Sequence, residues 1–520
     1  MAEGTFVVTS ESLSYSPLEY LETNRQKKCV FTLNGNALEN IRDNAPEILK
    51  NVQSAILRGQ VEIVTEGYAQ PIFTLIPEID GRLQIQKAVN VVQEILGVLP
   101  RGIWFPRETF SPGLIPMLAS VGVEYAIVDP VLKPNGVRST ASQLDYYVTE
   151  EEGIRFPIFF FQPIHWEEMT VRSGGSFFED TPTTYMESHA SLDRIYFPNS
   201  KNERAELIND ARTDLLHKKI IWVSGKVAAV AKPPLVGSLG DDRLKKLSIA
   251  RDALFMGESA RGFISPSSSF STQYGALLRA EKIADDLKHS GTSYLDVSVT
   301  DFDFDGSDEV AVATPFVSLG ISPKRGGKLF ECSYRPKNKN VIQPGVEEMA
   351  SSLGDLILYP NATRDLYMGG DPGILRDFRN TESGFFISRK TDCTQIILDA
   401  KGGSARIRKA ITFFPNVPQI EIAYNVIWEG NAPVSALFGT EWSFVKGDVV
   451  NGSALSLNTI QRIFTLIDAK EDFHLSFTFT APARVWELQD EGRFVFHWPI
   501  SLSAGESFEV GWKMSFEEGK

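Results

Sequence analysis

Apolar positions over the first 130 residues follow two spacings in turn. Leu38 and Ile41 share one short helical face, and Ile48, Leu49, Val52 and Ile56 form the apolar stripe of a second helix. Pro46 opens that second helix, where proline suits a first turn, and Gly59 stops it. Val61-Glu62-Ile63-Val64 reads as a strand, and Pro71-Ile72-Phe73-Thr74-Leu75-Ile76 as a second extended segment. Ile85, Val89, Val92 and Leu96 mark another helix, closed at Gly97. Gly102-Ile103-Trp104-Phe105 is a short buried strand, residues 113–121 are helical, and residues 124–129 form a strand again. This alternation predicts a parallel sheet, open or closed into a barrel. In such folds the chemistry lies just past the C-terminal ends of the strands, where Trp104 and Asp129 stand.

Residues 131–235 are less regular. They hold a Phe-rich strand (156–161), a helix near 201–216, a strand at 220–223 and a break at Pro233-Pro234. Two helices, 241–256 and 271–288, flank a loop at 257–269. After Gly291 the period shortens to two. Ile420, Ile422, Tyr424, Val426 and Trp428 alternate with smaller or polar neighbours, as do Leu475, Phe477 and Phe479. This region is expected to be an antiparallel two-sheet sandwich that folds alone.

With 520 residues the chain is too long for one core, so two or three domains are expected. The net charge of −14 argues against a nucleic-acid or anionic-membrane partner, and no apolar run reaches membrane-span length. The first residues lack the basic and apolar regions of a secretory leader, and three scattered cysteines (Cys29, Cys332, Cys393) form neither a disulfide framework nor a zinc site. A cytoplasmic location is the expectation. The six histidines show no metal spacing, and neither metal nor cofactor is expected. Asp301-x-Asp303-x-Asp305-Gly306 starts like a calcium loop, but Val312 stands at the twelfth position, and a solvated turn is the better reading. Lys324-Arg325-Gly326-Gly327 reads as a hairpin turn rather than an anion nest, and His165-Trp166-Glu167-Glu168 as loop surface.

Several segments, taken together, resemble glycoside hydrolase family 57 in its 4-α-glucanotransferase/α-amylase branch. They are Arg58-Gly59-Gln60-Val61-Glu62-Ile63, Gly67-Tyr68-Ala69-Gln70-Pro71-Ile72, Arg101-Gly102-Ile103-Trp104 and Gly122-Val123-Glu124-Tyr125-Ala126-Ile127-Val128-Asp129. Leu277-Leu278-Arg279-Ala280-Glu281-Lys282, Asp301-Phe302-Asp303-Phe304-Asp305-Gly306, Lys324-Arg325-Gly326-Gly327-Lys328-Leu329-Phe330-Glu331 and Ala436-Leu437-Phe438-Gly439-Thr440-Glu441 follow in the family's order. The resemblance implies an incomplete seven-stranded β/α barrel (1–240), a helical segment (241–291) and a β-sandwich (292–520), with α-1,4-glucans as substrate class.

The family's retaining chemistry needs two carboxylates, a nucleophile and an acid/base. By the resemblance, the nucleophile is the Glu of a Trp-x-x-Glu motif. This chain reads Trp104-Phe105-Pro106-Arg107-Glu108, so Arg107 occupies the nucleophile position and Glu108 lies one place later. A guanidinium cannot attack an anomeric carbon. The N-terminal His-x-His-Gln-Pro-like strand end corresponds to Thr9-Ser10-Glu11-Ser12, and the Glu of a Tyr-Glu-Pro segment to Gln70. The acid/base Asp, expected after a strand at 220–223, meets Ser224-Gly225-Lys226, and a Trp-His-Gly in the helical segment is replaced by Gly257-Glu258-Ser259.

The leading expectation is a glucan-binding or modulating homologue with an impaired active site. Trp104, Arg107, Asp129, Gln70 and Glu258 would line its cleft, and Glu108 is the candidate catalytic carboxylate. Ion pairing of Glu108 with Arg107 or Arg101, core packing of Trp104 and helix capping by Asp129 are the plainer roles for these residues. The competing expectations are an active glycosidase or transglycosylase pairing Glu108 with Glu66, Asp129 or Glu258, and a protein-interaction scaffold.

Overall fold

The computed structural model describes residues 6–8, 17–106, 109–134, 144–161, 164–165, 175–197, 207–208, 210–232, 240–343, 352–369, 373–445, 450–451, 460–468, 472–488 and 492–518. The chain divides into two compact units. Unit 1 is Met1–Asn209 with Phe255–Pro266, and unit 2 is Asp210–Leu254 with Ser267–Lys520.

Unit 1 is built on a mixed sheet of β1 (Phe6–Val8), β2 (Lys28–Leu33), β3 (Val61–Thr65), β4 (Gly102–Phe105), β5 (Tyr125–Val128), β6 (Tyr146–Glu151), β7 (Ile154–Phe160), β8 (Ile164–His165) and β9 (Gly175–Phe178). Its order is β1-β9-β2-β3-β4-β5-β7-β6, with β8 on β2. The ladders β2–β3, β3–β4, β4–β5 and β5–β7 are parallel, as the strand–helix alternation predicts. Among the described strands no ladder joins β1 to β6.

Alternation along the strands gives the sheet two buried faces. Cys29, Phe31, Leu33, Val61 and Ile63 share one core with Leu49 and Val52 of α3 and with Ala88, Val92 and Leu96 of α4. Here α1 is Pro17–Thr23, α2 Gly35–Asn44, α3 Pro46–Leu57 and α4 Glu78–Leu96. Val30, Val64, Trp104, Tyr125, Ile127 and Phe159 form the other core. Pro46 and Gly97 act as read from the sequence: proline opens α3, and Gly97 closes α4 at φ 76° with its N–H on Gln93 O. The 71–76 segment departs from expectation, since Phe73–Leu75 is a single 3₁₀ turn.

The reading of residues 220–223 as a strand is overturned. They lie inside the helix Ala211–Ala231. Ile220, Val223, Val227 and Val230 fall on its buried face at helical spacing, so tertiary burial outweighs the strand preference of a β-branched and aromatic run. Asp210 starts this helix through a capping box with Thr213.

Unit 2 combines that helix and two others, Asp241–Gly257 (through Leu254) and Pro266–Lys288 (from Ser267), with two antiparallel sheets. Among the described residues one sheet has five strands, between Asp296 and Asn340, and the other has twelve. Val310, Leu319, Ile321 and Cys332 of the first share a core with Ile407, Phe413, Ile422 and Trp512 of the second. Buried ion pairs tie the helices to the five-stranded sheet. Lys219 Nζ lies 2.7 Å from both Glu281 Oε2 and Glu331 Oε2, and Arg335 Nη2 donates to Asp285 Oδ2 at 2.7 Å. Burial works against the Lys219 charge, but Glu281 and Glu331 outweigh it and hold the ammonium above its ordinary pKa.

Candidate functional site

The loops after β2 and β3 pack on each other. Asn34 caps α2 through Ala37 N, and Gly35 and Asn36 donate their N–H groups to Gly67 O and Tyr68 O. A Cβ on Gly35 would stand 2.7 Å from the Tyr68 ring, so only glycine lets the loops meet. Tyr68 is further held by its hydroxyl on Glu39 Oε2 at 2.7 Å and by the Lys87 ammonium 3.8 Å above its ring. Glu66 follows β3 directly. It is buried, and its N–H donates to Leu33 O.

Gln70 ends this turn in the left-handed region, at φ 53°. A non-glycine residue held there stores strain of order 1–3 kcal/mol, which the surroundings must enforce. Here they do: Gln70 O accepts from Ala260 N at 2.9 Å, and Pro71 bridges to Ser259. The two sequence-derived candidates Gln70 and Glu258 therefore come together although 188 positions separate them.

Two residues of α4 complete the cluster. Gln84 is fully buried; its Oε1 accepts from Ala69 N at 2.9 Å and its Nε2 donates to Glu258 Oε2 at 2.8 Å. Glu258 is 0 % exposed, and no donor faces its Oε1 among the described residues. Burial, and next the Asp80 carboxylate beside it, push the Glu258 carboxyl well above the ordinary carboxylate range. Glu258 therefore holds its proton to higher pH than a free carboxyl does, beside the Asp80 side chain. Asp80 and Gln84 escape a sequence reading because polar residues on a helix usually mark its solvent face. The signal was their company: Asp80, Gly81, Gln84, Ile85 and Ala88 occupy one face at helical spacing.

The other candidates separate. Trp104 is 3 % exposed and fills the core with Val64, Tyr125 and Ile127. Asp129 follows β5 and takes the capping role, its Oδ1 accepting from Val131 N at 3.0 Å. Arg107 and Glu108 lie outside the described residues, as do 9–12 and 166–168. Arg101 pairs with Glu124 at 2.5 Å and Glu187 at 3.3 Å. Ser224, Gly225 and Lys226 belong to the Ala211–Ala231 helix of unit 2, not to a strand end. Gly326 and Gly327 turn their carbonyls to the buried Lys409 ammonium, at 3.0 and 3.2 Å, as a structural turn. Carboxylate oxygens of Asp301, Asp303 and Glu309 gather within 4.8 Å, with Lys324 on Asp305 and Arg325 on Asp303. No described helix is long and apolar enough to cross a membrane.

Comparison with known proteins adds four findings. Residues 4–161 match the family model described as glycosyl hydrolase family 57. Alpha-amylase 1 of Dictyoglomus thermophilum is 23 % identical over 396 residues, 58 % of this chain and 56 % of that protein. The 4-alpha-glucanotransferase of Thermococcus kodakarensis is 35 % identical over 147 residues, 28 % of this chain and 22 % of that one. The chain thus spans little more than half of the first relative and under a quarter of the second. The crystal structure of the 4-alpha-glucanotransferase from Thermococcus litoralis superposes with a TM-score of 0.71 at 18 % identity, covering 96 % of this chain and 94 % of that one. The fold is shared over nearly its whole length.

Proposed function

We propose that the protein, whose residues 4–161 match the family model described as glycosyl hydrolase family 57, takes part in α-glucan metabolism by binding the glucan at the strand-end face of unit 1 without running the family's two-carboxylate reaction. The observation that carries this reading is Arg107 at the position where the family resemblance puts the nucleophile. One feature supports it: Gln70, where that resemblance puts a glutamate, serves as a strained, amide-bearing turn residue tied to the Glu258 segment.

In this reading Asp129 and Gln70 offer hydrogen-bonding groups to sugar hydroxyls, and the Arg107 guanidinium adds a planar fork of donors. Glu258 and Gln84 set the loop that presents Gln70. Trp104 supports the floor from within the core. The same reading includes an incomplete seven-stranded barrel for unit 1, a sandwich for the antiparallel sheets and a cytoplasmic setting, which suits three unpaired cysteines.

The test is calorimetric titration with maltotetraose beside chromatography of the sugar after long incubation. Binding heat that falls in Arg107→Ala and Asp129→Ala, with the sugar recovered at its original length, is expected. Arg107→Glu alone should stay inactive, because the acid/base partner contributes roughly 10²–10⁴-fold. Turnover abolished by Glu108→Gln in a folded protein would overturn the reading in favour of an active glycosidase that pairs Glu108 with Glu66, Asp129 or Glu258.

A further inference from the structure

Unit 2 contains an open cavity of about 720 Å³, within the size range of small-ligand sites. It lies between the Ala211–Ala231 and Pro266–Lys288 helices and the strand and turn at 296–306. It is distinct in residue make-up from the site in unit 1, and none of its lining comes from there.

Three features of its walls identify the ligand class. Aromatic surface comes first. Trp222 is fixed by Nε1 donating to Glu281 at 2.8 Å and by edge contact with Phe302, 5.9 Å between centroids. Phe304 stands at the rim, 64 % exposed and at φ 57°. An aromatic side chain that is both solvent-exposed and held in the left-handed region incurs a strain and a hydration cost that packing does not offset.

Charge balance comes second. Lys218 pairs with Asp214, Lys226 with Glu281 and Asp285, and Lys288 with Asp296. Arg243 donates to backbone carbonyls, and Asp301 accepts from backbone N–H groups. The three wall lysines are thus paired, while Arg243 and Asp301 meet backbone groups, with Asp303 and Glu309 gathered behind Asp301, so the walls are rich in charged donors and acceptors. Such groups are suited to hydroxyls, with hydrogen bonds stronger than neutral pairs give.

Third, Gly225 sits mid-helix on the wall, where glycine costs roughly 0.5–1 kcal/mol against alanine. No packing demands it, since a Cβ there would meet nothing within 4 Å. Its missing side chain leaves the cavity unobstructed.

We propose that this cavity is a second carbohydrate site, taking a neutral pyranoside with its apolar ring face on Trp222 and Phe304 and its hydroxyls on Lys226, Asp301 and the hydroxyls of Ser298 and Thr300. The inference is carried by unit 2 alone and does not depend on the reading of unit 1.

The experiment titrates the full chain calorimetrically with maltotetraose, cellotetraose and chitotetraose, and separately with inorganic phosphate. Gly225→Leu adds a good helix former and fills the cavity, so its melting temperature should hold or rise while one binding event for at least one of the sugars disappears. Phe304→Ala should weaken that event about tenfold, as the loss of an aromatic contact allows. Arg107→Ala should leave it intact, which separates this site from the one proposed in unit 1. A folded Gly225→Leu protein that binds every sugar as the wild type does overturns the inference, as does phosphate binding in place of sugar. The absence of any Arg107-sensitive event in the wild type would count against the unit 1 reading and leave this site standing.

Discussion

Replacing Glu258 with glutamine should stabilise the protein at neutral pH, although it removes an acid from the candidate site. The introduced carboxamide keeps an oxygen for the Gln84 amide, now at 2.8 Å from Glu258 Oε2, and offers N–H donors towards Asp80. What disappears is the need to hold a proton. The folded protein keeps Glu258 protonated above its ordinary value of 4.5, while the unfolded chain releases that proton. Between those two pKa values the native state therefore binds more protons than the unfolded state, and stability falls as pH rises through the window. The fall is about 1.4 kcal/mol per pH unit and levels off above the raised pKa. Wild type and Glu258→Gln should agree to within about 0.5 kcal/mol below pH 4.5, a typical tolerance for a benign exchange. Their curves should then diverge in the variant's favour. Urea unfolding at a series of pH values measures the difference, and hydrogen exchange at the Ala69 and Ala260 amides reports it locally in unit 1. Gln84→Leu is the counter-perturbation: it strands Ala69 N–H and the Glu258 oxygen, at about 1–3 kcal/mol for each group. Curves that stay parallel across the pH range, or a variant less stable at pH 7, would refute a neutral Glu258.

Two expectations concern unit 2. Lys219→Met leaves Glu281 and Glu331 without their buried ammonium and should cost about 3–5 kcal/mol, partly recovered when Glu331→Gln is added; a loss within about 0.5 kcal/mol in denaturant titration, the usual range for benign surface changes, would contradict this. A fragment 292–520, which the sequence alone suggests would fold by itself, lacks Lys219, Tyr274 and Asp285, partners of Glu331 and Arg335, and should instead melt without cooperativity, whereas 210–520 should melt cooperatively by calorimetry; equal melting of both fragments would show that the helices are dispensable.

Strands β3, β4, β5 and β7 were legible because their hydrophobic runs are short and bounded, as at Gly102, whereas β2 (Lys28–Leu33) went unread and the run after Pro71 proved a 3₁₀ turn. The helix at 211–231 was misread in its middle because Ile220-Ile221-Trp222-Val223 carries strand-forming side chains, while its helical character rests on burial four and seven residues away. The meeting of Gln70 with Glu258 could be suspected from family positions, but not their joining through Gln84, since a side-chain amide that links two loops leaves no periodic trace. The buried Lys219 was equally hidden. A lysine on an apolar helical face normally snorkels, and only the placement of Glu281 and Glu331 keeps it inside.

The order in which the chain is synthesised bears on the Gln84–Glu258 link. Unit 1 is discontinuous: its last segment, Phe255–Pro266, follows the 45 residues of Asp210–Leu254. During translation the sheet of unit 1 leaves the ribosome first, with the Gln84 amide and its Ala69 partner already in place. Glu258 arrives only after that intervening stretch, roughly 2–9 s later at ordinary elongation rates. For that interval the nascent domain holds an unfilled amide donor in its interior. A release or pause near residue 209 would therefore yield a nearly complete sheet with a polar vacancy at its functional edge, a form that chaperones could recognise and that no trimming at either terminus could repair.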